Sequence, residues 1–288
     1  MLFIQPAAGP APIVQMIQAS RESVDVNVYE LTSDAIENAL STAAARGVRV
    51  RILLDGHPYD GGQILAAESQ WCAAQIAKLT CKPAPGRFRF DHAKYMVVDG
   101  TDSEIGTANL SRSAFTLNRE YLFITQAKTA ADSLEQVFDA DWNDAEAGQA
   151  PRAYLVLSPG SETIISKLVS SPGPIAIETE EFGYIRSIVN TLEQKGGDVR
   201  IIVPQSISAR DRRVLSELQQ RGVQVRFISE PYMHAKLIIT SQLAFIGSQN
   251  FSYTSLNKNR EVGVLLQQPN DLKTLRDQFE QDWQHASS

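Results

Sequence analysis

Two stretches of this chain repeat one another. Phe90-Asp91-His92-Ala93-Lys94-Tyr95-Met96-Val97-Val98-Asp99 and Tyr232-Met233-His234-Ala235-Lys236-Leu237-Ile238-Ile239-Thr240-Ser241 each place a His-Ala-Lys before an apolar run. Gly106-Thr107-Ala108-Asn109-Leu110-Ser111 is answered by Gly247-Ser248-Gln249-Asn250-Phe251-Ser252, and Asn118-Arg119-Glu120 by Asn259-Arg260-Glu261. The histidines lie 142 residues apart and the later pairs 141, so one residue is missing between Ser241 and Gly247. Phe138-Asp139-Ala140-Asp141-Trp142 returns as Phe279-Glu280-Gln281-Asp282-Trp283. A repeat of domain size limits the fold severely, because whatever one copy builds the other must build. Two similar units are predicted, 1–150 and 151–288.

Within the first unit, Val24 to Tyr29 alternates at period two, Ser33 to Arg46 carries apolar residues at helical spacing, and Gly47 precedes a second strand from Val48 to Leu54. A strand–helix–strand order favours a parallel sheet with helices on its faces. The expected class is α/β: two lobes about a pseudo-twofold axis, each a mixed, largely parallel sheet flanked by helices. Tyr95–Val98 and Leu237–Thr240 read as strands buried on both faces. In a strand, residues two apart share a face, so His92 projects with Lys94 and His234 with Lys236. Asn109 and Asn250 fall in turns opened by Gly106 and Gly247, where short polar side chains and free N–H groups line an anion site.

The polar residues of each copy are His, Lys, Asn, Ser or Thr, and Glu. There is no recognisable Ser-His-Asp order, phosphate-binding glycine loop or metal-spaced carboxylate cluster. Lysine binds phosphate as a point charge, Asn and Ser donate to non-bridging oxygens, and a carboxylate fixes the tautomer of a histidine. Two such sets facing one another would hold a phosphodiester with one imidazole on each side of phosphorus.

These residues resemble the phospholipase D superfamily, whose signature is H-x-K-x4-D followed by G-(S/T)-x-N and a later carboxylate. His92, Lys94, Asp99, Gly106, Thr107, Asn109 and Glu120 match it, as do His234, Lys236, Gly247, Ser248, Asn250 and Glu261. The departure is Ser241, which stands where the second Asp is expected; the resemblance gives that Asp, and hence Asp99, a local structural part. It further implies a reaction without metal or cofactor. His92 would attack phosphorus, and His234 would protonate the leaving oxygen and then activate water or an alcohol. Lys94, Lys236, Asn109, Asn250, Thr107 and Ser248 would bind phosphate, with Glu120 behind His92 and Glu261 behind His234. Both half-sites lie in one chain, so catalysis needs no obligate oligomer.

The substrate is expected to be a glycerophospholipid, reached through transient contact with a membrane surface. A formal charge of −6 disfavours the broad cationic footprint of nucleic-acid binding, leaving a nuclease as first alternative and a non-catalytic phosphate-binding module as second. No apolar run approaches the roughly 20 residues of a membrane-spanning helix, and Leu2-Phe3-Ile4 follows Met1 directly. The chain reads as soluble, while export stays open because a trimmed mature domain would look the same. Cys72 and Cys81 read as unpaired structural thiols, with a bridge, implying export, as the alternative. His57 reads as a solvated loop residue with substrate contact as the sharper alternative, His285 as solvated, and Trp142 and Trp283 as core. Arg87-Phe88-Arg89-Phe90 reads as a strand with one buried face, or as a stacking or acyl-chain rim.

Overall fold

The computed structural model describes residues 1–58, 61–74 and 76–287. Tyr59 and Asp60, part of the loop expected around His57, lie outside them. Ser23–Val28, Asp34–Ala45 and Arg49–Leu54 form the strand–helix–strand unit read from the sequence. Its helix buries Ile36, Ala39, Leu40 and Ala43, the spacing that fitted one helix face, and Gly47 follows at φ +97°, a conformation that costs glycine little.

Two mixed sheets result. The first runs in the order Leu2–Gln5, Asn118–Thr125, Asp102–Gly106, Lys94–Val98, Ser23–Val28, Arg49–Leu54, Leu79–Pro83. The second runs Gln224–Ile228, Val199–Pro204, Ile175–Thr179, Lys236–Ile239, Ala244–Gly247, Glu261–Leu266, Leu155–Ser158. Each His-Ala-Lys leads into the middle strand of its sheet. The class and the two mixed sheets are as expected, but "largely parallel" is corrected. Among the described residues, the parallel strand pairs are the strand–helix–strand edge of each sheet and the short Tyr232–Met233 strand against Asn118–Arg119. The strands after each His-Ala-Lys form antiparallel meanders, the first pair of each joined by a turn of a few residues and the next by a loop with one short helix.

Asp99 and Gly100, at φ +53° and +64°, make the first of these turns. The Asp99 carboxylate accepts the backbone N–H groups of Arg21, Glu22 and Ser23 at 2.9, 2.8 and 2.9 Å, tying the turn to the start of a neighbouring strand. Ser241 holds the equivalent corner more lightly, its hydroxyl donating to the Pro172 carbonyl at 3.3 Å.

One apolar core lies between the sheets and draws on both halves, with Tyr95, Val97, Leu134 and Phe138 packed together with Leu237, Ile239, Leu275 and Phe279. Trp283 is buried there and Trp142 packs against its edge. Each half has a second core on the outer face of its sheet. Cys72 and Cys81 form a disulfide between the helix Gly62–Cys72 and the strand Leu79–Pro83, which corrects the reading of them as free thiols. Their spacing of nine residues allowed either state; only the fold, which returns the chain to within 5.9 Å Cα to Cα, distinguishes them.

Charged pairs cross the central seam. Arg119 meets Asp282 at 2.6 and 2.8 Å, and Arg260 meets Asp141 at 2.7 and 2.9 Å. All four residues are buried, and the two pairs are related by the repeat. Removing one partner of such a pair strands a charge in the interior. Asp282→Ala should therefore cost about 3–5 kcal/mol, read from the urea midpoint, while Arg119→Leu with Asp282→Leu should recover most of that. A loss below about 1 kcal/mol in the single variant would show that the pair does not hold the seam.

Candidate active site

The crossing pairs bring the two histidines to one place. Tyr232–Met233 add in parallel to Asn118–Arg119 of the opposite half, and Asp91 bridges Arg260 in the same way. The His92 N–H donates to the Arg260 carbonyl at 2.9 Å. Each histidine is thereby placed beside the glutamate of the other copy. His92 Nδ1 lies 2.9 Å from Glu261 Oε2, and His234 Nδ1 lies 2.6 Å from Glu120 Oε1. The expected pairing of Glu120 with His92 and Glu261 with His234 is corrected: the carboxylates are exchanged between halves. Sequence order could not reveal this, since the exchange depends on strand pairing across the seam.

Each glutamate is fully buried and held by its own copy. Glu120 accepts from the Thr107 hydroxyl at 2.6 Å and from Asn118 Nδ2 at 3.2 Å; Glu261 accepts from the Ser255 hydroxyl at 2.6 Å and from Asn259 Nδ2 at 2.9 Å. Thr107 and Ser248, expected to touch phosphate, are fully buried and point away from the cavity. The Thr107 hydroxyl is committed to Glu120, and Ser248 Oγ donates to the Val262 carbonyl at 3.3 Å. Their role is corrected to support from beneath. Gly106 and Gly247 allow this approach, because a Cβ would lie 2.8 Å from the Tyr121 carbonyl and 2.6 Å from Gly263 Cα respectively.

A cavity of about 540 Å³ is lined by His92, His234, Asn109 and Asn250, together with Tyr29, Phe90, Glu30, Glu180 and Glu181. Lys94 and Lys236 are buried beneath it, each turning its ammonium back to the carbonyl of its own histidine, at 3.0 and 2.6 Å. The side-chain carbonyls of Asn109 and Asn250 are buried without a partner on the protein. Burial and the nearby Lys236 bring Lys94 down to about 7. Burial and the Lys94 charge also lower His92, with Glu261 pulling the other way.

Glu180 had no signal in the repeat. Its Oε2 lies 3.2 Å from His234 Nε2 and 2.9 Å from Lys236 Nζ. Burial works to raise it, but His234 and Lys236 outweigh that and hold it well below the usual carboxylate range. His234 therefore has a carboxylate at each ring nitrogen.

Other expected residues lie elsewhere. His285 is exposed. His57, also exposed, lines a neighbouring groove of about 880 Å³ with Arg87, Arg89, Lys258 and Tyr253, and this groove shares Phe90 and Thr254 with the cavity. Arg87 to Phe90 do not form a strand, so the expected alternation of faces does not hold; Phe88 lies between the guanidinium groups of Arg87 and Arg260.

The exchanged pairing is open to a direct check. Glu261→Gln should shift the Nδ1 resonance of His92 in ¹⁵N spectra and leave that of His234 in place, while Glu120→Gln should do the reverse. A response confined to the histidine of the same copy would restore the pairing within copies.

The sequence family described as "Cardiolipin synthase, PLD-like domain" matches residues 13–142 and 171–283. Cardiolipin synthase A of Pseudomonas aeruginosa is 31% identical over 150 residues, covering 48% of this chain and 30% of that protein. The cardiolipin synthase of Halalkalibacterium halodurans is 25% identical over 328 residues, covering 96% and 64%. The chain thus spans from under a third to just under two thirds of the length of these relatives. Among solved structures, the phosphatidylserine synthase of Haemophilus influenzae superposes with a TM-score of 0.77 at 16% identity, covering 99% of this chain and 87% of its own. With both halves of the chain matched and the fold shared, the protein belongs to the phospholipase D superfamily.

Proposed function

We propose that this protein is a phosphodiesterase of phospholipase D type that cleaves glycerophospholipids, by hydrolysis or headgroup transfer, through a phosphohistidine. The observation that carries the reading is the single cavity holding both histidines, each with Nδ1 on a buried carboxylate. A carboxylate only accepts, so Glu261 keeps the His92 proton on Nδ1 and leaves the Nε2 lone pair for attack. His234 instead has a carboxylate at each ring nitrogen, an arrangement that suits it to the part of general acid.

The reaction proceeds in two displacements. His92 Nε2 bonds to phosphorus as the bond to the alcohol oxygen breaks, and that oxygen takes the His234 proton. Water or an alcohol then returns a proton to His234, its oxygen bonds to phosphorus, and the nitrogen–phosphorus bond breaks. Lys94 and Lys236 supply positive charge beneath the phosphoryl oxygens, and Asn109 and Asn250 turn their amides toward them. These groups provide the nucleophile, acid and charge without a metal.

The lipid reading rests on the cardiolipin synthases among the relatives and on the carboxylates Glu30, Glu180 and Glu181 in the cavity, which repel a polyanion. No described helix is long and apolar enough to cross a membrane. Exposed Leu117, Tyr184 and Tyr253 offer contacts for transient attachment to a lipid surface. The disulfide supports an oxidising compartment. One feature favours the nuclease reading, the groove carrying Arg87, Arg89 and Lys258 beside the cavity.

Incubation with phosphatidylethanolamine, phosphatidylglycerol and single-stranded DNA in EDTA separates these readings: lipid cleavage is expected, and cleavage of DNA alone would overturn the substrate. His92→Ala and His234→Ala should each lose at least about 10³ in rate, and acid quenching should leave the phosphoryl adduct on the His92 peptide. An adduct on His234 would reverse the roles.

The pH profile follows from Lys94. Lowered to about 7, it loses its proton as pH rises through that value, so kcat/KM should fall above about pH 7. A bound phosphodiester anion favours the ammonium form, so the corresponding limb of kcat should lie at higher pH. Coincident limbs would remove Lys94 from the titration.

A further inference from the structure

The two half-sites follow one plan but differ at two pairs of positions beside the histidines. In the first sheet Val28 pairs with Lys94, and in the second Thr179 pairs with Lys236, so the following residues, Tyr29 and Glu180, are equivalent. Two residues before each histidine stand Phe90 and Tyr232. On the His92 side these positions hold two aromatic rings, Tyr29 and Phe90, edge to face at 6.3 Å. On the His234 side they hold a carboxylate and a phenol, with Tyr232 Oη donating to Glu180 Oε1 at 3.4 Å. Tyr29 and Phe90 line the cavity on the first side and Glu180 on the second, with Tyr232 behind it.

Building on the reaction proposed above, we propose that Glu180, held from behind by Tyr232, forms the subsite for the alcohol that leaves or accepts, and that it selects alcohols with a second hydrogen-bond donor, an amine or a hydroxyl, on the neighbouring carbon. Geometry leads to this. The alcohol oxygen exchanges its proton with His234 Nε2, so it lies beside that nitrogen, and Glu180 Oε2 is only 3.2 Å from the same atom. A donor one carbon farther along the alcohol is within reach of the carboxylate. Glu180 rests on Lys236 Nζ at 2.9 Å; a phosphoryl oxygen that takes over that ammonium frees the carboxylate, which then needs a new donor. The alcohol brings one. The Oδ1 atoms of Asn250 and Asn109, both lining the cavity, are further acceptors without a partner on the protein. An alcohol with a plain alkyl chain leaves these acceptors unsatisfied. On the His92 side, the position equivalent to Glu180 holds Tyr29 instead.

The test is internal competition. Mixed micelles contain equal amounts of phosphatidylethanolamine, phosphatidylglycerol and phosphatidylpropanol, and their depletion ratios are read by mass spectrometry. These ratios equal ratios of kcat/KM and do not depend on how much of a variant is correctly folded. The intact protein should consume the amine and glycerol lipids at least about tenfold faster than the propanol lipid, since a site built to receive a donor rejects the analogue lacking it. Glu180→Gln should reduce that preference at least about fivefold, and Tyr232→Phe should reduce it in the same direction by less. Cleavage of all three lipids at similar rates, or a preference unchanged in both variants, would overturn the subsite and leave the phosphodiesterase standing. If the intact protein consumes none of the three, the reading beneath it falls as well.

Discussion

The arrangement depends on an exchange between halves. In Asn118-Arg119-Glu120, the asparagine holds its neighbouring glutamate, the arginine reaches Asp282 across the seam, and the glutamate orients the opposite histidine. Asn259-Arg260-Glu261 does the same in reverse. Three adjacent residues thus couple assembly of the seam to assembly of the site. A buried charge pair is costly unless its geometry is good, and here both guanidinium groups meet their carboxylates through two contacts. Neither half-site is complete without the other half, because the carboxylate beside each histidine's Nδ1 comes from across the seam.

Pseudo-symmetry explains the scaffold, and its breakage gives the two histidines different surroundings. A perfect repeat would hold two equivalent imidazoles with no basis for dividing labour between them. Glu180, where the first copy has Tyr29, removes that degeneracy by adding a second acceptor to His234 alone. Tyr29 instead packs its ring 4.9 Å from that of His92. That pair of positions thus gives the two imidazoles different neighbours.

Much was legible in the sequence because it is local or repeated. Val24 to Leu54 announced a strand–helix–strand unit through the spacing of apolar residues, and that unit is present. Less was legible where two outcomes have the same local pattern. Arg87 to Phe90 alternates like a strand yet lies in a loop, because it has no ladder partner along its length and its cations pair with rings and carboxylates instead. Thr107 and Ser248 were recognisable as part of a motif, but the direction of a hydroxyl depends on which buried acceptor is nearest.

By itself, the sequence determined the superfamily, the α/β class, the duplication and the identity of the His, Lys and Asn residues, because the repeated motifs carry that information residue by residue. Tertiary structure alone decided that Glu261 serves His92 and Glu120 serves His234, that Cys72 and Cys81 join, and that Glu180 belongs to the site. The physical reason is common to all three. Each is a contact between segments whose separation along the chain says nothing about their distance in space, and strand pairing and the packing of two sheets around a shared core set that distance.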